Sequence, residues 1–327
     1  MIPPAQPRPV VVWVLAQPDD AGLSVLDLAP EGVRIVIGSE PQAFDGAPTP
    51  DAVLDCWSGR RRIAGVLERA PDLPWFHSRA TGLDIVLVPE LVASPAILTT
   101  GRGAFSSSLA EFVVASLLFF VKDLGRMVKS HEAGVWDPFD IEMLQGRTLG
   151  IVGYGDIGRA AAERVRPLGM RVLALRRRPE RSVGDPLVDE VLPPERLDDL
   201  MARADDVLVA APLTPATRGL VDAAALAAMK PDGVLVNVGR GAVVDEAALV
   251  AALLEGRIRG AALDVFETEP LPADHPFWSL PNVLLSPHCA DHVPGWIEDV
   301  MHVFLKNLER FRRGETLLNV ADKIHGY

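Results

Sequence analysis

The sequence predicts an α/β protein in which a doubly wound parallel sheet accompanies a smaller α/β unit. Three observations carry this prediction. From residue 148 onward, short apolar runs alternate with helical stretches in a regular βα rhythm. The turn Gly153-Tyr154-Gly155-Asp156-Ile157-Gly158 sits between one such run and an amphipathic stretch, the place of a glycine-rich phosphate turn. The first hundred residues show a similar but shorter alternation, which suggests a separate small domain with parallel strands.

A chain of 327 residues holds about two domains. With 49% apolar and 23% charged residues it can bury a large core, so disorder is not expected. The formal charge of −12 argues against nucleic acid and anionic membrane, both of which call for a basic face. Cys56 and Cys289 form no metal-binding or redox spacing and fit a reducing compartment. No signal peptide pattern is visible, and the longest apolar block, residues 112–121, is about half of what a bilayer span requires. The expectation is a soluble, cytoplasmic protein without a metal site.

Taken in order, a proline-rich start (residues 1–9) leads into a strand at Val10–Leu15, followed by strand-like runs at 33–37, 75–76 and 97–98 and a helix at Arg60–Arg69. Ser108-Leu109-Ala110-Glu111 has the form of a capping box. It should open a long apolar helix reaching about residue 129, which either bridges two domains or belongs to one core. Further strands are expected at 149–152, Arg171–Leu175, 207–211, 234–238, 261–265 and Val283–Leu285. The last helix has Pro294 near its first turn, places Ile297, Val300, Met301, Phe304, Leu308 and Phe311 on one face, and stops at Gly314. It follows the last strand and is not needed by the doubly wound core, so it is free to pack on the first domain.

In the glycine turn, Gly153 permits the tight bend, Gly155 lets backbone approach a pyrophosphate, and Gly158 lets helix pack on strand. The phosphates then meet the N–H groups of the helix start. The second strand, Arg171–Leu175, should deliver the residue that meets the adenosine ribose, usually an acid. Here it delivers Arg176, followed by Arg177 and Arg178. An acid would accept from the ribose hydroxyls and repel a 2′-phosphate, whereas guanidinium groups pair with phosphate through charge-assisted forks. The expected cofactor is therefore NADP(H), with NAD(H) as second choice.

Three expected strand ends carry groups able to cooperate: the stretch from Asn237 through Val238 and Gly239 to Arg240, the stretch from Asp264 through Glu267 to Glu269, and His288 after Ser286-Pro287. Arginine can hold a carboxylate and polarise a neighbouring carbonyl. Histidine can exchange a proton with an alcohol or carbonyl oxygen, and a paired carboxylate orients it and favours its protonated form. Those are the parts a 2-keto acid reductase needs. Spacing alone leaves His275, His292 and Glu267 in contention.

Several separate motifs, in order, resemble the D-2-hydroxyacid dehydrogenases, the group that includes glyoxylate/hydroxypyruvate reductases. They are residues 80–84, 153–158, 212–217, 237–241 with 244–246, 260–272, and 281–288. The resemblance implies that Arg240 binds substrate, Glu269 is the partner acid and His288 the acid/base. It also implies that backbone N–H groups around Thr81 and Gly82 hold the substrate carboxylate. Asp156 and Ile157 would face the pyrophosphate, and Val238, Gly239 and Asp264 would border the nicotinamide. Tyr154, Arg176, Arg177, Pro212 and Thr217 would complete the cofactor contacts.

The implied architecture is a smaller flavodoxin-like substrate domain built from residues 1–100 and 289–327. A Rossmann dinucleotide-binding domain, residues 101–288 with the bridging helix, would be inserted into it, usually in a homodimer. Two departures stand out: Cys289-Ala290-Asp291-His292 lacks the small glycine-containing segment many members show, and Arg176 replaces the acid of NAD-using members, as in the NADPH-using glyoxylate/hydroxypyruvate reductases. The first seventy residues match weakly. The expected function is reduction of a 2-keto acid, glyoxylate or hydroxypyruvate, to a D-2-hydroxy acid. The rival reading, a dinucleotide-responsive corepressor on the same fold, is opposed by the acidic charge and the complete Arg-Glu-His set.

Overall fold

The computed structural model describes residues 9–326; the expected proline-rich start, residues 1–8, lies outside them. The chain forms two compact units, one comprising the described residues up to Ala104 and from Pro294 onward, the other Phe105–Val293. These boundaries fall four or five residues beyond the expected ones.

The first unit is built on β1 (Val10–Leu15), β2 (Val33–Gly38), β3 (Ala52–Asp55), β4 (Trp75–Ser78) and β5 (Ile97–Thr100). All pair in parallel, in the order β2-β1-β3-β4-β5. That is the flavodoxin-like arrangement. Alternation along β1 divides the core: Trp13 and Leu15 pack with Phe44, Ile63 and Val66 on one face, and Val10, Val12 and Val14 face the other way. There they meet Met301, Phe304, Leu305 and Leu308 of the helix Trp296–Arg312, so the last helix does complete the first unit. Pro294 lies outside that helix, before its N-cap Gly295.

The second unit carries β6 (Thr148–Val152), β7 (Arg171–Leu175), β8 (Glu190–Leu192), β9 (Asp206–Val209), β10 (Val234–Asn237), β11 (Gly260–Leu263) and β12 (Val283–Leu285). The order β12-β11-β10-β9-β6-β7-β8 is parallel throughout. The direction of winding reverses between β6 and β9, where ligands of such sheets bind. The expected doubly wound sheet is present.

Two expectations need correction. Ser108 does not cap a helix: the helix spans Ser106–Val121 from Phe105, and the Ser108 hydroxyl donates instead to the Ala290 carbonyl at 2.5 Å. Nor does the helix run on to residue 129. It ends at Lys122, Asp123 turns left-handed (φ 49°), and a second helix occupies Leu124–Ala133. The first of the two packs on the helix Asp156–Val165 and on β10, all within the second unit. The apolar run thus signals burial rather than uninterrupted length.

A buried polar group in β4 has a consequence for stability. The Trp75 indole N–H donates to Thr99 Oγ1 (2.8 Å), so the Thr99 hydroxyl is available to donate to His77 Nδ1 at 2.7 Å. His77 is fully buried and its Nε2 has no hydrogen-bond partner among the described residues. Burial pushes the imidazole pKa from 6.5 down to about 3. Below 6.5 the unfolded chain takes up a proton that the folded chain refuses, so stability falls as pH drops, down to about 3. The loss is up to about 1.4 kcal/mol per pH unit. We expect His77→Asn, which keeps an acceptor for Thr99 but does not titrate, to melt lower at pH 7.5 and to lose less on acidification to pH 4.5; parallel Tm–pH curves would contradict this.

Candidate active site

The nucleotide turn joins β6 to the helix Asp156–Val165, with Gly155 at its N-cap. Gly153 has φ +100°, and a Cβ there would lie 2.5 Å from the Ala211 nitrogen. Both the conformation and the contact demand glycine. At Gly155 the space a Cβ would occupy is open, with no atom within 4 Å. An open face before an unsatisfied helix start is the shape a pyrophosphate needs. The Gly153 and Tyr154 amides donate to the Leu175 carbonyl at 3.2 and 3.0 Å, which seats the turn against the end of β7. Arg176 follows Leu175, and its Nη1 donates to the buried Ser182 hydroxyl at 2.6 Å. The residues present therefore fit a dinucleotide, with the Arg176 guanidinium at the end of β7 beside the glycine turn.

Beyond β9, the Thr217 hydroxyl donates to the Pro212 carbonyl at 2.6 Å and accepts from the Thr214 amide at 2.8 Å, closing the 212–217 loop. After β10 the Val238 amide donates to Val209, and Asn237 holds its own turn: Oδ1 accepts from Gly239 N (3.1 Å) and Nδ2 donates to the Arg240 carbonyl (3.2 Å). Arg240 is half-buried. Its neighbour Gly241 lies directly against the backbone of Phe266 and Glu267, where a Cβ would come within 1.9 Å of the Phe266 carbonyl carbon. The Arg240 turn and the loop after β11 are thereby in contact.

That loop carries Glu269. Its Oε1 accepts from the Phe266 amide at 2.9 Å, and its Oε2 lies 2.7 Å from His288 Nδ1. Both side chains stay partly open, 36% and 42% exposed. His288 has φ +53°, a left-handed conformation that a non-glycine residue adopts only when its surroundings impose it. Asp264 supplies the constraint: its Oδ1 accepts from the Ser286 hydroxyl (2.6 Å) and from the Cys289 and Ala290 amides (3.0 and 3.1 Å). Sequence reasoning placed Asp264 beside the nicotinamide; the structure shows it gripping the turn that presents His288. Ser286 was missed, although its place two residues before the histidine was a usable signal.

The competing residues have other attachments. His275 lies 3.2 Å from Glu246 through Nε2 and accepts from the Phe277 amide through Nδ1. His292 faces Asp291 at 3.7 Å, and the Glu267 amide donates to Glu246. Thr81 and Gly82 belong to the first unit, just past β4, where the Thr81 hydroxyl oxygen is buried without a hydrogen-bond partner among the described residues. Among those residues no cluster of ligands could hold a metal.

Residues 114–290 match the family described as the D-isomer specific 2-hydroxyacid dehydrogenase, NAD binding domain. The chain belongs to this family. The D-isomer specific 2-hydroxyacid dehydrogenases are oxidoreductases acting on a CH–OH group, and the second unit is the NAD-binding domain. A glyoxylate reductase from Thermofilum pendens is 32% identical over 326 residues, covering 95% of this chain and 93% of that protein. A D-3-phosphoglycerate dehydrogenase from Methanocaldococcus jannaschii is also 32% identical, but this chain spans only 51% of its length.

Among solved structures, a D-isomer specific 2-hydroxyacid dehydrogenase from Xanthobacter autotrophicus in complex with NADPH and MES has a TM-score of 0.81 and 30% identity, covering 98% and 100% of the two chains. An NADPH-dependent glyoxylate/hydroxypyruvate reductase from Sinorhizobium meliloti in complex with NADP and sulfate has a TM-score of 0.82 and 26% identity over the same shares. For this 2-hydroxyacid dehydrogenase the two glycines predict opposite outcomes. Gly155→Ala should leave the apo Tm nearly unchanged yet weaken dinucleotide binding by about tenfold or more, since a methyl group would fill the approach to the helix. Gly153→Ala should lower the apo Tm itself. Calorimetry with cofactor titration checks both.

Proposed function

We propose that the protein is an NADP(H)-preferring reductase that converts a 2-keto acid, glyoxylate or hydroxypyruvate, to its D-2-hydroxy acid. The observation that carries this reading is the 2.7 Å pairing of His288 and Glu269, on a turn held by Asp264 and beside the Arg240 turn. Glyoxylate reductases among the relatives favour turnover over a corepressor role. The nicotinamide, when bound, supplies the hydride. Every other task falls to the chain.

With Nδ1 engaged by Glu269, His288 exchanges its proton with the substrate oxygen at Nε2. Glu269, fixed in turn by the Phe266 amide, holds the ring in one orientation and stabilises the imidazolium from which the proton leaves. Arg240 anchors the substrate carboxylate and polarises the carbonyl. Val238, Gly239, Asp264, Pro212 and Thr217 border the cofactor, Asp156 and Ile157 its pyrophosphate, and Arg176 and Arg177 the 2′-phosphate. On this reading the first unit, assembled from both chain ends, is the substrate domain, and the second holds the cofactor.

We propose also that the protein works as a cytoplasmic homodimer. Along the segment from Leu124 onward Met127, Val128, Val135, Ile141 and Met143 are exposed, and Trp136 is 94% exposed, which is apolar area suited to a second copy. Free Cys56 and Cys289 suit a reducing compartment.

NADPH should bind at least about tenfold tighter than NADH, because a lost phosphate–arginine pairing costs on the order of 1.4 kcal/mol or more. Arg176→Asp should reverse the order. Equal affinities in nicotinamide fluorescence titrations would refute the preference.

With a panel of 2-keto acids and NADPH, His288→Ala should cut turnover by about a hundredfold or more while cofactor affinity stays nearly intact. Arg240→Ala should damage both substrate affinity and turnover, and His292→Ala should change little. An inactive His292→Ala beside a normal His288→Ala would reverse the assignment. No turnover of any 2-keto acid by the unaltered protein would refute the activity itself.

A further inference from the structure

The segment joining β7 to β8 is tied down at both ends of its arginine-rich part. Arg176 starts it, and the 3-10 turn Pro179–Ser182 folds the run back so that Ser182, buried, accepts from the Arg176 guanidinium at 2.6 Å. Three residues on, the Asp185 amide donates to the Ser182 carbonyl at 3.1 Å. The Asp185 carboxylate then reaches the glycine turn, accepting from the Tyr154 hydroxyl at 3.1 Å and from Arg159 Nε at 3.3 Å through Oδ2. Its Oδ1 accepts from the Leu187 amide at 3.1 Å. Since the Tyr154 amide donates to the Leu175 carbonyl, the chain of bonds closes on itself through Tyr154, Asp185, Ser182, Arg176 and Leu175.

The ring of bonds contains a carboxylate where the expected ligand is an anion. Burial works against the Asp185 charge, but the Leu187 amide, the Tyr154 hydroxyl and Arg159 outweigh it and keep its pKa below the usual carboxylate range. Burial, with Asp185 beside it, pushes the Tyr154 phenol above its ordinary range, so it remains a donor. A negative charge close to a phosphate pocket weakens phosphate binding by Coulomb repulsion unless it does something that outweighs the repulsion. Closing the ring is such a task. A guanidinium ordered in advance loses less entropy when it meets its ligand than one that must be collected from solvent.

We propose that Tyr154 and Asp185, with Ser182, are positioning residues for recognition of the adenosine 2′-phosphate: they latch the 176–185 loop to the glycine turn and hold Arg176 where that phosphate is read. This rests on the NADP(H) reading above. Arg176 touches the ligand, whereas the latch acts through it.

The experiment titrates NADPH and NADH into Asp185→Asn, Asp185→Ala, Tyr154→Phe and Ser182→Ala by nicotinamide fluorescence, with apo melting temperatures as the folding control. Each folded variant should bind NADPH about five- to tenfold more weakly, and the Asp185 and Ser182 variants should bind NADH less than about twofold more weakly. The Asp185 variants decide the matter, because simple charge removal predicts the opposite sign. An Asp185 variant that folds and binds NADPH as tightly as the unaltered protein, or more tightly, overturns the proposal.

Amide hydrogen exchange across residues 176–188 of the apo protein gives a readout that needs no ligand. Exchange should quicken in Asp185→Asn and Tyr154→Phe, and unchanged protection would again overturn the latch. Equal NADPH and NADH affinities in the unaltered protein would refute the NADP(H) reading, with the exchange data still deciding whether the latch exists.

Discussion

The carboxyl side of the second sheet depends on how closely three strand ends approach one another at Gly153. Its amide, with that of Tyr154, donates to the Leu175 carbonyl at the end of β7, and its missing side chain admits the backbone of Ala211 beyond β9. Any Cβ would push these strands apart, since the contact is with main chain that cannot rotate away. From this one approach follow the open helix start at Gly155 and the position of Arg176, the residue next to Leu175. The glycine turn and Arg176 are thus placed by a single backbone packing event.

Much of this was legible in the sequence where local pattern and tertiary structure agree. The glycine turn, the helix Arg60–Arg69 and the strands Val10–Leu15, Arg171–Leu175 and Val283–Leu285 stand where the pattern put them. Two strands were not legible. β3 is four buried residues ending in Asp55, and β8 is three residues beginning with Glu190; neither is long enough for its periodicity to show. Ser108 was misread because a capping pattern describes only a local competition, and here a distant carbonyl, Ala290, won the hydroxyl. Asp123 was misread because nothing in its neighbours announces a left-handed residue inside an apolar helical run. In the candidate site, motifs brought Arg240, Glu269 and His288 forward as candidates and the structure pairs Glu269 with His288, while the grip of Asp264 on the 286–290 turn needed three dimensions.

The two acids of the site are used differently, and geometry explains the division. Asp264 is almost fully buried and directs one oxygen at a hydroxyl and two amides, which suits a carboxylate that maintains backbone shape. Glu269 is partly open and splits its oxygens between an amide and an imidazole. One oxygen fixes its orientation and the other transmits that orientation to His288. The left-handed backbone of His288 is sustained by the same arrangement, with Asp264 holding the residues just beyond it.

The helix Trp296–Arg312 closes the core of the first unit against Val10, Val12 and Val14, strands made from the opposite end of the chain. During synthesis these halves emerge at different times. The NAD-binding unit, one continuous stretch from Phe105 to Val293, can bury its core while the ribosome is still adding residues. The first unit must wait for the last helix, holding the apolar face of its sheet uncovered until residues 296–312 have been made. An uncovered apolar sheet face of this kind is the sort of surface that makes a partly folded chain prone to aggregation.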